Sequence, residues 1–133
     1  MAKSLKERYS LLITDDDDEC REVLGEFFDR EGYRTFRART GREAVTIARE
    51  VFLHFLILDM QLPDLNGVKT FELITAEKQE VVPCIFMSAE ASKEQKMRAL
   101  DAHGFAFVPK PIDINLIRYV VDQLLGKYYK IEP

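Results

Sequence analysis

Three short apolar runs, each ending in a charged signature, constrain the fold of this chain more than any other feature. They are Leu11-Leu12-Ile13 before Asp15-Asp16, Phe55 to Leu58 before Asp59, and Phe105 to Val108 before Lys110-Pro111. If the runs are parallel strands of one sheet, their carboxyl ends lie side by side. The pattern then predicts a single pocket with three carboxylates and one ammonium, suited to a divalent cation and a phosphoryl group.

The apolar periodicity predicts an α/β fold. Strand-like runs recur at five places, with amphipathic helical patterns between them: Leu11, Tyr33, Phe55, Cys84 and Phe105. Five such alternations indicate a parallel sheet covered by helices on both faces. The continuously apolar runs belong at its centre, whereas Tyr33 to Ala38 is typical of an edge and Pro109 of the opposite edge or a strand end.

Helix positions follow from the spacing of apolar residues at i, i+3 and i+4. The first helix is predicted to bury Cys20, Val23, Leu24, Phe27 and Phe28, and the last to bury Leu116, Ile117, Val120, Val121, Leu124 and Leu125. Gly32, Gly104 and Gly126 are predicted helix ends. The fourth helix has little apolar beyond Met97 and Leu100, so we expect it to be mobile or partner-facing.

Length and composition exclude several classes of protein. A chain of 133 residues predicts one domain, and a net charge of -4 argues against a nucleic-acid-binding surface. Cys20 and Cys84 are too few and too distant for a disulfide framework or a zinc motif, so we expect reduced core residues. No apolar stretch resembles a signal peptide or a membrane span of about 20 residues, which predicts a cytoplasmic protein without membrane partners.

The acidic run after the first strand predicts a magnesium site. Asp15 and Asp16 begin a run of four aspartates, more than helix capping by Asp17 or Asp18 requires. Crowded carboxylates raise one another's proton affinity, which is costly unless a cation shares the site. Oxygen ligands with retained waters suit Mg²⁺.

Asp59 is the candidate nucleophile. It closes the most apolar strand, and beside a metal such a carboxylate can attack phosphorus to form an acyl phosphate. Lys110 would neutralise the resting carboxylates and pair with a phosphoryl oxygen. Ser88, at the end of the fourth strand, could donate its hydroxyl to the same group.

In combination and order, these residues resemble the pattern of response-regulator receiver domains from about Leu11 to Leu125. The resemblance is carried by Asp15-Asp16, Asp59 with Leu62-Pro63 and Asn66-Gly67, Met87-Ser88-Ala89, and Lys110-Pro111. It implies a single doubly wound (βα)5 domain whose five-stranded parallel sheet has the order 2-1-3-4-5. We expect an N-terminal extension at 1–9, the receiver domain at 10–127 and a C-terminal tail at 128–133.

The resemblance also implies roles. Asp59 would accept a phosphoryl group from a phosphohistidine of a sensor histidine kinase or histidine phosphotransfer protein. Mg²⁺ would be bound by Asp16, Asp59 and the backbone carbonyl of Gln61, with Asp15 acting mainly through coordinated water. Ser88 and Lys110 would engage the phosphoryl oxygens. Ser88 and Phe107 would switch the surface of the fourth helix, fifth strand and fifth helix, for an unidentified downstream protein or a phosphorylation-dependent dimer. Such a domain is not a multi-turnover enzyme.

Two residues depart from that pattern, and two others occupy its variable positions. Phe107 stands where tyrosine is common, and Pro109 where an aliphatic residue is usual. Gln61 and Glu90 occupy variable positions beside the phosphoryl group, where they should influence the access of hydrolytic water.

Three alternatives stand beside this interpretation. A flavodoxin-like electron carrier shares the topology, but the aspartates at 15–18 would repel its flavin phosphate. A haloacid-dehalogenase-type phosphatase needs a second acid two residues after the nucleophile, where this chain has Gln61. The nearest rival is a degenerate receiver that serves as a phosphorylation-independent interaction module.

Overall fold

Five parallel strands form one sheet in the order β2-β1-β3-β4-β5, as expected from the sequence. The computed structural model describes residues 5–90 and 92–129. The strands are β1 (Ser10–Thr14), β2 (Arg34–Ala38), β3 (Phe55–Asp59), β4 (Cys84–Ser88) and β5 (Ala106–Pro109). The helices are α1 (Asp18–Glu31), α2 (Gly41–Glu50), α3 (Gly67–Lys78), α4 (Lys93–Asp101) and α5 (Ile114–Tyr129), after a short 3-10 helix at Leu5–Arg8.

The sheet separates two apolar layers. One layer includes Ile13, Phe28 and Leu124 and lies under α1 and α5. The other includes Phe71 and Phe86 and lies under α2, α3 and α4. Because β1, β3 and β4 are covered on both faces, every one of their residues is buried, which explains their continuously apolar sequences.

The ends of α1 confirm the predicted caps, whereas α5 departs from the prediction. Asp17 caps α1 by accepting the amides of Glu19 and Cys20, and Gly32 ends it in the left-handed conformation with φ of 99°. The prediction for Gly126 was wrong, because α5 continues through it to Tyr129. A glycine inside a helix costs only about 1 kcal/mol, which the buried Leu124 and Leu125 offset.

Two helices bury fewer apolar residues than predicted. Val23 and Leu116 are 49% and 40% exposed, so their assignment to the core was wrong. On α1 the buried positions include Arg21 and Gly25, and an added Cβ at Gly25 would lie 2.3 Å from the Arg37 guanidinium. The buried face of α1 is therefore shared with a cation that crosses from β2.

The fourth helix is attached to the sheet by little apolar surface. Ala99 is its buried residue among those described, while Met97 and Leu100 are 49% and 61% exposed. Its position as a partner-facing helix stays a prediction.

The predicted domain boundaries, near the two ends of the chain, stay predictions. Residues 1–4 and 130–133, at the ends of the predicted extension and tail, lie outside the described residues. Within the described ranges, no helix has the length and apolar character that crossing a bilayer requires.

Candidate functional site

Two central strands deliver acidic side chains to one end of the sheet. Thr14 of β1 is in register with Leu58 of β3, so the residues that follow them, Asp15 and Asp59, emerge next to each other. Asp15, Asp16 and Asp59 each offer a carboxylate oxygen, and these oxygens lie within 4.8 Å of one another. Asp15 and Asp59 are buried and Asp16 is exposed, so the cluster opens to solvent on one side.

Lys110 places its ammonium between the two buried acids. Its Nζ lies 2.7 Å from Asp15 Oδ2 and 2.7 Å from Asp59 Oδ2. The lysine follows β5, its backbone amide donates to the carbonyl of Ser88 at 2.8 Å, and its peptide bond to Pro111 is cis. The sheet thus brings together four of the predicted site residues.

Backbone amides hold the remaining oxygens of the two buried acids. Asp15 Oδ1 accepts the amide of Asp17 at 3.0 Å, and Asp59 Oδ1 accepts the amide of Gln61 at 2.9 Å. Each acid therefore has one oxygen on a main-chain donor and the other on Lys110. Such contacts restrict the carboxylate rotamers before any ligand arrives.

The electrostatics of the cluster are unbalanced. Burial, together with the charge of Asp15, raises the pKa of Asp59 to about 6, although Lys110 and the Gln61 amide oppose this shift. Burial also favours the neutral form of Asp15, but the contacts with Lys110, Cys20 and the Asp17 amide outweigh it and lower the pKa. Burial disfavours the Lys110 ammonium, yet the two acids raise its pKa well above the usual range. One cation thus faces three acids, an excess of negative charge that a divalent cation would neutralise.

The other predicted site residues lie in β4 and β5 or in the loops that follow β3 and β4. Ser88 is buried at the end of β4, and its hydroxyl donates to the carbonyl of Glu90 at 3.1 Å and accepts that residue's amide at 3.0 Å. Gln61 and Glu90 are exposed. Phe107 is half-buried in β5 and packs against the layer under α2, α3 and α4. Ser88 is thus engaged in its own turn rather than with the acids, within the part of the chain that the structure describes.

Comparison with known proteins agrees with this geometry. Residues 11–122 match the family model described as the response regulator receiver domain. The chain belongs to the response-regulator receiver family. It is 32% identical over 120 residues to the transcriptional regulatory protein YrkP of Bacillus subtilis, covering 90% of this chain and 51% of that protein. It is 26% identical over 118 residues to the polar-differentiation response regulator DivK of Brucella ovis, covering 88% and 96%.

Solved structures lead to the same fold. The non-phosphorylated HemR receiver domain from Leptospira biflexa superposes with a TM-score of 0.81 at 26% identity, covering 94% of this chain and 98% of that one. Among the first three curated relatives, by contrast, the chain spans 25% to 56% of their length. The shared unit is therefore the receiver domain and not the whole of those proteins.

The receiver has a buried arginine beside its acids that the sequence analysis missed. Arg21 of α1 is 8% exposed and donates to the backbone carbonyl of Asp15 at 2.8 Å and to Asp18 Oδ1 at 2.6 Å. It ties the start of α1 to the loop that carries the acids. The sequence carries one signal for this position. Arg21 lies three residues before Leu24 and seven before Phe28, a spacing that places it on the buried face of α1.

Cys20 lies beside the same loop and is half-buried rather than in the core. Burial, with the nearby Asp15 carboxylate, raises the pKa of its thiol to about 12, which leaves it protonated at neutral pH. Cys84 is buried, and both cysteines are free.

Proposed function

We propose that this receiver is a phosphoacceptor, in which Asp59 takes a phosphoryl group from a phosphohistidine of a sensor histidine kinase or histidine phosphotransfer protein. The observation that carries the proposal is the position of the Asp59 carboxylate. It ends a central strand, its oxygens are held by Lys110 and the Gln61 amide, and it adjoins two further acids. Such preorganisation suits attack by a carboxylate that would otherwise be a weak nucleophile.

The transfer step conserves atoms and charge in a simple way. A carboxylate oxygen of Asp59 forms a bond to phosphorus, and the bond between phosphorus and the imidazole nitrogen breaks. The bonding pair stays on that nitrogen, which takes up a proton from solvent, so that the histidine leaves as neutral imidazole. With a pKa of about 6, Asp59 is mostly ionised at neutral pH and is available to attack.

The donor set fits Mg²⁺. Carboxylates of Asp15, Asp16 and Asp59 within 4.8 Å of one another, with the Gln61 carbonyl in the adjoining loop, supply the oxygen ligands that this ion prefers. Bound there, Mg²⁺ would offset the repulsion between the acids and an incoming phosphate. Lys110 would move its ion pair from Asp59 to a phosphoryl oxygen, and Ser88 would exchange its bonds with Glu90 for another.

The response would leave the site through β4 and β5. Movement of Ser88 toward the phosphoryl group, with rearrangement of Phe107, would alter the surface of α4, β5 and α5 for a downstream protein or a second receiver. Gln61 and Glu90, both exposed, would govern the approach of hydrolytic water. The domain would transmit one signal per phosphorylation event and would not turn over a separate substrate. We place it, with its phosphodonors, in the cytoplasm.

The test is intact mass after incubation with Mg²⁺ and a small-molecule phosphodonor, on the wild type and Asp59→Asn in parallel. We expect one phosphate adduct in the wild type that requires Mg²⁺ and is absent from the variant. Absence of an adduct in a folded wild type, with no Mg²⁺ binding, would favour the phosphorylation-independent interaction module.

A further inference from the structure

The loop from Met60 to Asn66 carries the Gln61 carbonyl, yet its middle has few bonds of its own. At its start, Met60 donates its amide to the carbonyl of Met87 at 2.8 Å, and the Gly67 amide closes back on the Met60 carbonyl at 2.9 Å. Among the described residues, no main-chain amide between 62 and 66 bonds to another main-chain group. Main-chain hydrogen bonds from these amides therefore do not fix the middle of the loop, and side-chain contacts are the next place to look for its support.

The Asp64 side chain attaches the middle of the loop to the start of α2. Its Oδ1 accepts the amide of Gly41 at 2.8 Å and its Oδ2 accepts the amide of Arg42 at 2.9 Å, both in the first turn of α2. Burial favours the neutral carboxyl, but these amides outweigh it and lower the pKa of Asp64. An ionised carboxylate on two amides at a helix start is also favoured by the helix dipole.

The first turn of α2 depends on two different capping residues. Thr40 Oγ1 accepts the amide of Glu43 at 3.1 Å, while Asp64 accepts the two amides before it. Three of the four orphan amides at this helix start, those of residues 41, 42 and 43, are thereby satisfied. Thr40 belongs to the helix's own chain segment, whereas Asp64 comes from the loop beside Asp59, so of the two capping residues it is Asp64 that connects α2 to the site.

Close packing reinforces the connection. A Cβ added at Gly41 would lie 2.4 Å from Thr70 Oγ1 and 2.9 Å from Leu65 Cβ, so the start of α2 lies directly against the loop and α3. At the loop's other end, a Cβ at Gly67 would lie 2.3 Å from the Asp59 carbonyl oxygen. The loop is thus confined between α2 and the phosphoacceptor strand.

We infer that Asp64 is a positioning residue, which holds the loop so that the Gln61 carbonyl faces the metal position. This inference rests on the proposed function, since it assumes that Mg²⁺ binds beside Asp59. Groups that orient metal ligands typically change metal affinity by 10- to 100-fold when they are removed. Asp64 would act through the main chain and touch neither metal nor phosphoryl group.

The test compares Asp64→Ala with Thr40→Ala by calorimetric titration with Mg²⁺. Both variants remove acceptors from the same helix start, but only Asp64→Ala releases the loop. We expect Asp64→Ala to weaken Mg²⁺ binding by about 10-fold or more, Asp64→Asn to lose less because one oxygen acceptor remains, and Thr40→Ala to stay within about twofold of the wild type.

Hydrogen exchange of the metal-free variants provides a second readout. Asp64→Ala should speed exchange of the Gln61 and Gly67 amides, and Thr40→Ala should not. Equal Mg²⁺ affinity in Asp64→Ala and the wild type, or equal losses in Asp64→Ala and Thr40→Ala, would overturn the positioning role. A folded wild type that binds no Mg²⁺ would instead overturn the proposed function.

Discussion

The two ends of the sheet solve the problem of burying polar groups in opposite ways. At the carboxyl end, Asp15, Asp59 and Lys110 bury charges against one another. At the amino end, the imidazole of His54 lies among three aromatic rings. We call this group the aromatic cluster: Tyr9, Phe52, His54 and Tyr129. The His54 ring centroid lies 4.9 Å from that of Tyr9, 4.8 Å from that of Phe52 and 5.0 Å from that of Tyr129.

Polar groups in the aromatic cluster have neutral partners. The amide of Ser10 donates to His54 Nδ1 at 3.0 Å, and the Tyr129 hydroxyl donates to the His54 carbonyl. At the carboxyl end, the acids outnumber the ammonium that neutralises them. We therefore expect the aromatic cluster to contribute stability, and the acidic site to cost stability that ligands restore.

The largest effect should follow from removing the ammonium. Lys110→Met keeps the aliphatic stem but leaves Asp15 and Asp59 buried without a cation, which should cost about 3–5 kcal/mol in the absence of divalent ions. Denaturant unfolding measures it, with the exposed Lys69→Met as a control expected within about 0.5 kcal/mol of the wild type. Mg²⁺ should still bind to Lys110→Met. A loss below about 1 kcal/mol would show that the site is balanced without Lys110.

Replacing the two buried acids by asparagine should change the stability of the metal-free protein in opposite directions. Ionised Asp59 is disfavoured in the folded state, so Asp59→Asn should stabilise the metal-free protein by roughly 1–3 kcal/mol at pH 7. The lowered pKa of Asp15 means that its ionised form is favoured, so Asp15→Asn should destabilise. Thermal unfolding of both variants, without divalent ions, compares them directly. Stabilisation by both substitutions would refute the asymmetry.

The pH dependence gives the same comparison another form. The pKa of Asp59 rises from 3.8 to about 6 on folding, so the folded state binds the proton more tightly. Its contribution is fully present below about pH 4 and is lost as pH rises through about 6. The free energy of urea unfolding of the wild type, minus that of Asp59→Asn, should therefore fall as the pH rises from 4 to 7. A difference that is flat over this range would contradict the raised pKa.

A smaller effect is expected in the aromatic cluster. Tyr129→Phe removes the hydroxyl that donates to the His54 carbonyl and should cost about 1 kcal/mol. Mg²⁺ affinity should not change, because the lost bond lies at the opposite end of the sheet. Parallel unfolding and calorimetric titrations check both statements, and a change in affinity would mean that the two ends are coupled.

The smallest effect concerns His54. Burial, helped by the charge of Arg34, lowers its pKa, so the folded state prefers the neutral ring that accepts the Ser10 amide. The stability from this preference is present above about pH 6.5 and is lost as pH falls through the lower folded pKa. As the pH falls from 7.5 to 5.5, the free energy of unfolding of the wild type should fall relative to that of His54→Gln, by less than about 1 kcal/mol. No relative loss would mean that the ring accepts protons freely.

The strand order and the acidic cluster could be predicted from the sequence because both depend on local signals. A continuously apolar strand belongs in the centre of the sheet, and residues at the carboxyl ends of parallel strands meet. Asp15, Asp59 and Lys110 therefore came together as expected. Their positions required no knowledge of side-chain packing.

The errors arose where a residue's position depends on contacts that apolar periodicity, capping patterns and residue propensity do not encode. Arg21 takes a buried position that periodicity gives to apolar residues, because its partners are the Asp15 carbonyl and Asp18. Asp64 caps a helix that begins 23 residues earlier, which no capping pattern reveals. Glycine propensity predicts a helix end at Gly126, but it is a weak signal that tertiary packing overrides, and α5 continues through that residue.

Locating the modified residue shows whether Asp59 carries the phosphoryl group. The phosphorylated wild type is treated with borohydride, which reduces an acyl phosphate to the alcohol, and the digested peptides are sequenced by mass spectrometry. Homoserine at position 59, with unmodified aspartate at 15 and 16, is the expected result. Reduction at Asp15 or Asp16, or a stable phosphate on another residue type, would contradict it.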